Sequence, residues 1–228
     1  MKEFNPFIPL YFMNTAGVMP EERSAALSAL YEVLQIASVI SKIPLIDLGI
    51  WREKNYRNSK KGLLPHKSVD WYINIGYNSE REQVNVNEGL VQLLLDPLNK
   101  KNPHYDIILT IEDLYTPSTD FVVGSTLPRR GAIISVNRFR KINDKRIREE
   151  TLKQEVFHEA GHLFGLPNIN RREDIDETIN PHCTNCCAMK RVVNVPSDLI
   201  NLAKDRKETG KVYCWRCLDD LRNYFNII

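Results

Sequence analysis

No stretch of the 228-residue sequence reaches the roughly 20 apolar residues that a membrane-spanning helix needs, so the sequence gives no sign of a helical membrane protein. Neither sign of charge is in excess. With 31 Lys and Arg against 29 Asp and Glu, nothing in the composition draws the chain to nucleic acid or anionic lipid. Residues 1–6 have no basic region followed by an apolar run and a small-residue cleavage site. They do not read as a signal peptide, and a cytoplasmic protein is the expectation. Repeats and low-complexity tracts are missing as well. Cysteine is absent from the first 182 residues: all five, Cys183, Cys186, Cys187, Cys214 and Cys217, fall in the last quarter. In a reducing compartment such clustering points to metal rather than disulfides. The 43% of apolar residues is ordinary for a globular protein with a real core.

The order of elements is legible from pattern. Residues 7–12 read as a strand. Pro20-Glu21-Glu22 opens a helix running to about residue 42, because proline suits the first turn and acidic residues suit the positive end of the helix dipole. Leu27, Leu30, Leu34 and Ala37, with Val33 and Ile40 beside them, recur at helical spacing and mark a buried face. Residues 45–51 read as a second strand, the polar stretch 52–67 as a loop, 71–77 as a strand, and 87–100 as a helix that Pro97 ends or kinks. Three β-rich runs follow at 105–111, 121–125 and 131–136. A charged helix then begins near Asp144. This is an α/β or α+β domain of about 165 residues, predicted as residues 1–167, with a cysteine-bearing unit at 168–228.

That last helix carries His158-Glu159-Ala160-Gly161-His162. Residues four apart share a helix face, so His158 and His162 aim at one point. Neutral imidazole is a good zinc ligand. Zinc held by uncharged donors keeps its full charge and makes bound water acidic near neutral pH. Glu159 lies at the rim of that point, where it serves as general base without competing for metal. Val156, Phe157, Leu163 and Phe164 flank the motif, and buried histidines there would be costly without a ligand. Gly161 lowers helix propensity, which suggests a close neighbour. Gly165 is placed to stop the helix in a left-handed conformation. A His-Glu-x-x-His-x-x-Gly run opens the metzincin signature, whose third histidine would come three residues later. Asn168 stands there. His182 is then the favoured third ligand, over Glu177 or another carboxylate of the connection (Glu173, Asp174, Asp176) and over His66 and His104. In the cysteine cluster, Cys214 and Cys217 form a zinc-knuckle pair, and Cys183 pairs with either Cys186 or Cys187.

The run His182-Cys183-Thr184-Asn185-Cys186-Cys187-Ala188-Met189, followed by Cys214-Trp215-Arg216-Cys217, resembles the archaemetzincin family of metallopeptidases. In that family the third histidine is followed directly by cysteine, then by a Cys-x-Met element and a distant Cys-x-x-Cys. Leu114 to Pro117, Phe121 to Gly124 and Gly131 to Ser135 look like the strands ahead of the family's active helix. The resemblance implies a metzincin-like mixed, mainly parallel twisted sheet packed on a long helix and an active-site helix, with a small Cys-rich zinc subdomain at the C-terminus. It implies that His158, His162 and His182 bind a catalytic zinc, that Glu159 is the general base, and that Met189 lies in the turn beneath the metal. It also implies that Cys183, Cys187, Cys214 and Cys217 hold a second, structural zinc, with Cys186 the spare. Residues 166–181 separate Gly165 from His182 where the family has two, an insertion at 168–181 bordering the active site. The first cysteine pair is also one residue closer than in the family, and Met189 and Cys214 are further apart.

The function expected from this is hydrolysis of peptide bonds in peptide or protein substrates, with zinc as cofactor and with neither nucleic acid nor membrane as partner. A strand at 121–125 or 131–136 would pair with extended substrate, and Arg129 and Arg130 are candidates for a substrate carboxylate. Two other readings compete. One is a non-catalytic, zinc-stabilised binding module derived from a peptidase fold. The other is a zinc-finger-like nucleic-acid binder using Lys190, Arg191, Lys204, Arg206 and Lys207, against which the balanced charge speaks.

Overall fold

The computed structural model describes residues 5–51, 68–95, 102–178 and 180–226. Its centre is a five-stranded sheet in the order β2-β1-β5-β9-β8. These strands are β1 (Leu10–Asn14), β2 (Leu45–Gly49), β5 (Tyr105–Thr110), β8 (Gly124–Leu127) and β9 (Gly131–Ser135). β2, β1, β5 and β9 run parallel, and β8 closes the edge antiparallel to β9. Every residue of β5 and β9 is buried, as expected of parallel strands covered on both faces. Side chains alternate between the two faces. Leu10, Phe12, Ile107, Leu109, Ala132 and Ile134 enter one core, while Met13, Ile108 and Ile133 enter the other.

The first face is covered by two helices, α1 (Pro20–Ile36) and α4 (Lys145–Leu163). α1 buries Ala25, Ala26, Ala29, Leu30, Val33 and Leu34, small and branched residues at helical spacing. α4 starts where Asp144 accepts a hydrogen bond from the Ile147 amide at 2.9 Å, an N-cap that satisfies one of the first-turn donors. The second face carries α2 (Val69–Ile75), α3 (Val86–Leu95) and a small sheet, β3-β4-β6-β7. Its strands are β3 (Tyr77–Asn78), β4 (Gln83–Asn85), β6 (Asp113–Thr116) and β7 (Thr119–Val122). Beyond α4 come a two-stranded ribbon, β10 (Ile175–Asp176) with β11 (His182–Cys183), and helices α5 (Ser197–Thr209) and α6 (Trp215–Tyr224). Cys183, Met189, Leu199, Tyr213, Leu221 and Phe225 share the first core with α1 and α4. The whole is a mixed α/β fold with a mainly parallel sheet and a cysteine cluster toward the C-terminus. Among the described residues no helix is long and apolar enough to cross a membrane.

Several boundaries differ from the pattern-based expectation. The first strand begins at Leu10 rather than residue 7. α1 stops at Ile36, and Ile40 is exposed, because Ser38 turns the chain with a φ of 54°. Residues 71–77 are helical over most of their length, not a strand. The Ser68 hydroxyl accepts from the Trp71 amide at 3.1 Å, and Val69, Tyr72 and Ile73 are buried at three-and-four spacing. Capping and tertiary burial thus override the β-propensity of aromatic and branched residues. The single strand expected at 121–125 is two: β7 ends at Val122 in the small sheet, and β8 begins at Gly124 in the large one. The loop expected at 52–67 and the end of the helix expected at 87–100 lie outside the described residues.

One ion pair ties α1 to the far end of the sheet. Glu22, 2% exposed, accepts both Arg140 Nε (2.8 Å) and Nη2 (2.7 Å) and also the Met19 amide at the helix start (2.8 Å). Glu22→Leu is expected to lower unfolding free energy by about 3 kcal/mol, since it strands a guanidinium and a helix amide together. Urea denaturation measures it, and in the Glu22→Leu background Arg140→Met should cost much less than in wild type.

Candidate metal centre

α4 is a polar helix in a buried place. Gln154, Glu155, His158 and Glu159 are each under 9% exposed, a costly burial unless each group finds a partner. The histidines find theirs in backbone carbonyls. His158 Nδ1 lies 2.8 Å from the Ala188 oxygen, His162 Nδ1 2.8 Å from the Leu166 oxygen, and His182 Nδ1 2.6 Å from the Asn180 oxygen. A carbonyl only accepts, so each Nδ1 carries the hydrogen and each Nε2 is left with a bare lone pair. One nitrogen from each of the three rings lies within 4.8 Å of the other two, and the Nε2 atoms of His158 and His162 are 3.1 Å apart. Two lone pairs at that distance repel unless a cation sits between them. Two imidazoles on a tetrahedral zinc would be separated by about 3.3 Å. Burial holds the His158 pKa down to about 4, with His182 adding to the effect. Burial likewise lowers His162 and His182. All three are therefore in the uncharged form that binds metal. The donor set and its spacing fit zinc.

The helix stops where it must for this geometry. Gly165 adopts a φ of 74°, open to glycine without strain, and the Leu166 amide bonds back to the Gly161 oxygen at 2.9 Å. This brings the Leu166 carbonyl under His162. Gly161 itself has a packing reason. A Cβ there would sit 2.2 Å from Met189 Sδ, and Met189 is fully buried. The residue before it, Ala188, supplies the carbonyl that orients His158.

Glu159 faces β8. Thr126 Oγ1 bonds both its carboxylate and its backbone oxygen, the latter at 3.1 Å. A Cβ at Gly124 would fall 2.5 Å from Glu159 Oε1 and 2.6 Å from Glu155 Oε1, so glycine is what lets two carboxyls lie beneath the edge strand. Burial raises the Glu159 pKa to about 7. Burial also raises Glu155 well above the usual range, with the neighbouring Glu159 adding to it. Two buried carboxyls in contact do not readily ionise together, so the pair holds a proton more firmly than either carboxyl would alone. Sequence reading did not single out Glu155. Its position four residues before Glu159 on a buried helix was the available signal.

The thiols gather on the other side of β11. The sulfurs of Cys183, Cys187, Cys214 and Cys217 lie within 4.8 Å of one another. Cys183 Sγ is 3.7 Å from Cys214 Sγ, and Cys187 Sγ is 3.9 Å from Cys217 Sγ. Disulfide bonding needs about 2.05 Å, whereas a tetrahedral zinc with Zn–S bonds of 2.3 Å separates its sulfurs by about 3.8 Å. Cys186 is exposed and donates to Asp205 Oδ2 at 3.1 Å. Successive residues of a strand point to opposite sides, so the dipeptide His182-Cys183 serves both groups.

The other candidates lie elsewhere. Glu177 is exposed, 4.0 Å from Arg172. His104, a candidate third ligand, has a side chain only 5% exposed and pairs with Asp106 at 3.3 Å while stacking on Tyr11. His66 lies outside the described residues. Arg129 and Arg130 are exposed, and the Arg129 amide bonds the Leu163 carbonyl at 3.0 Å.

No family model matches the sequence. Relatives do. Archaemetzincin from Nanoarchaeum equitans is 33% identical over 120 residues, 48% of this chain and 64% of that protein. Archaemetzincin from Methanopyrus kandleri is 34% identical over 136 residues, 58% of this chain and 65% of that protein. The crystal structure of the Methanopyrus kandleri archaemetzincin superposes with a TM-score of 0.63 over 99% of both chains at 20% identity. The chain is archaemetzincin-like in sequence and in fold. The sequence matches span a little under two thirds of the relatives' own length.

Gly161→Ala is expected to disturb this centre through Met189 alone, at a cost of about 1–3 kcal/mol. Thermal unfolding should show the loss, and Gly161→Ala with Met189→Ala should lose less than the sum of the two single losses, because removing the buried thioether also removes the clash. If the two substitutions simply add, the contact is not what forbids a side chain at 161.

Proposed function

We propose that this chain is a zinc-dependent metallopeptidase, with His158, His162 and His182 holding a catalytic zinc and Glu159 acting as general base. The observation that carries the reading is the set of three Nδ1–carbonyl hydrogen bonds, which leaves each of three clustered rings a bare nitrogen, with the buried Glu159 next to His158 on the same helix. Zinc bound there supplies Lewis acidity, polarising a substrate carbonyl and making water nucleophilic near neutral pH.

The remaining work belongs to the chain. Glu159 Oε2, held by Thr126, takes a proton from the attacking water and delivers it to the departing nitrogen. A pKa of about 7 suits both halves of that exchange. β8 is an edge strand next to the same helix, so an extended peptide adds to it by main-chain hydrogen bonds, with its scissile carbonyl directed toward the histidines. Arg129 and Arg130 flank that edge. In this reading Cys183, Cys187, Cys214 and Cys217 hold a second zinc that stabilises folding. Four thiolates outweigh its charge, which makes it a poor Lewis acid. Residues 168–228 act as a unit bringing the third ligand and the thiol knot to the catalytic frame of 1–167. The chemistry implies peptide or protein substrates.

Two measurements test this. Glu159→Gln is expected to lower kcat/KM for peptide cleavage by about 10²- to 10⁴-fold with zinc content unchanged. A zinc-replete wild-type protein that cleaves no peptide would instead favour the non-catalytic binding module. Elemental analysis is expected to give two zinc ions per wild-type chain and one in His158→Ala/His162→Ala. A double variant that keeps both ions rejects the histidine centre.

A further inference from the structure

The segment between Gly165 and His182 must leave the end of α4 and return an imidazole to the same helix. Its anchor is one side chain. Arg171 is 7% exposed and pairs with Asp220, itself 10% exposed. Arg171 Nη1 donates to Asp220 Oδ2 at 2.9 Å and to Cys217 Sγ at 3.4 Å. Nη2 donates to the Asp174 carbonyl at 3.0 Å and Nε to the Glu173 carbonyl at 3.1 Å. The Asp174 carbonyl also accepts the Thr184 amide at 3.0 Å, and the next residues, Ile175 and Asp176, pair with Cys183 and His182. The guanidinium thus touches a sulfur of the thiol group on one side and the ribbon that carries His182 on the other. The main-chain amide of Asn168 adds a second tie to Asp220 at 3.1 Å.

We propose that Arg171 is a positioning residue that couples metal loading at the four cysteines to the placing of His182. This inference rests on the two-metal reading above. A neutral thiol is a weak hydrogen-bond acceptor. A metal-bound thiolate is an anion, and a hydrogen bond to a charged group is about twice as strong. Zinc with four thiolates carries a net negative charge, which a buried cation at one sulfur offsets. Loading the cysteines therefore tightens Arg171 onto Cys217, and the same fork holds the Asp174 carbonyl and the ribbon behind it. A contact that differs between the two loading states is what thermodynamic coupling requires, and it acts in both directions. The segment 168–181, absent from the family pattern, brings with it the residue that joins the two centres.

The test uses the full chain with its cysteine group filled by Cd(II), which thiolates prefer and whose charge-transfer absorption reports occupancy. Co(II) is then titrated into the histidine group and followed by its d–d bands. Arg171→Gln is expected to weaken Co(II) binding by about 10- to 100-fold. Arg171→Lys, which keeps the charge and loses the fork, should fall between it and wild type. Arg206→Gln removes a comparably buried ion pair, with Glu150 at 2.7 Å, far along the chain from His182. It is expected to lower the melting temperature and leave Co(II) affinity unchanged, which separates coupling from general destabilisation. If Arg171→Gln takes up no Cd(II) or loses its helical circular dichroism, Arg171→Lys is read in its place. Co(II) affinity within twofold of wild type in the folded variant overturns the coupling. Wild-type protein that binds no Co(II) at the histidines overturns the histidine centre and this inference with it.

Discussion

Three hydrogen bonds decide what this molecule can do. Each imidazole spends its Nδ1 hydrogen on a main-chain oxygen, from Ala188, Leu166 or Asn180. Each ring is thereby locked in one tautomer and one orientation, and the remaining lone pairs meet. Without a cation that meeting is repulsive. The fold therefore holds an arrangement whose cost metal binding relieves, the usual sign of a site built for an ion. The three carbonyls come from different places: the end of α4, the turn before Met189 and the approach to β11. Much of the C-terminal third exists to bring the latter two to α4.

Close packing serves the same end. Gly161 and Gly124 are the two places where a side chain would collide with the centre, one with the sulfur of Met189 and one with the carboxyls of Glu155 and Glu159. In each case the missing Cβ brings an element against α4, and in each case that element carries a functional part. The turn at Met189 delivers the carbonyl for His158, and β8 delivers Thr126 and an open edge. The paired carboxyls gain from the same closeness. Buried together, they hold a proton more firmly than either would alone.

The histidine group and the thiol group are organised around a single strand. β11 sends His182 one way and Cys183 the other, and the backbone between them is pinned by the Cys183 amide to the Met189 oxygen at 2.9 Å. A long connection before His182 is compatible with a well-placed imidazole because the ribbon and Arg171 restrain it.

A good deal of this was legible in the residues. The spacing of His158 and His162, the burial around them, the helix stop at Gly165 and the clustering of thiols follow from periodicity and local backbone preference, which depend only on near neighbours in the chain. The strands at 105–110 and 131–135 were equally plain, since β-rich runs bounded by breakers carry their own signal. The helix at Val69–Ile75 was not, because a cap and a buried face outweighed residue preference there. The division of residues 119–127 between two sheets was not either, because which neighbour a strand pairs with is settled at long range. Glu155, the neighbour that shares a proton with Glu159, and the seat of Arg171 between a thiol and a ribbon likewise depend on contacts between segments far apart in sequence. Local order along the chain determined which residues had the chemistry. Only the tertiary structure decided which of them meet, because distance, burial and shared protons arise between elements and not along them.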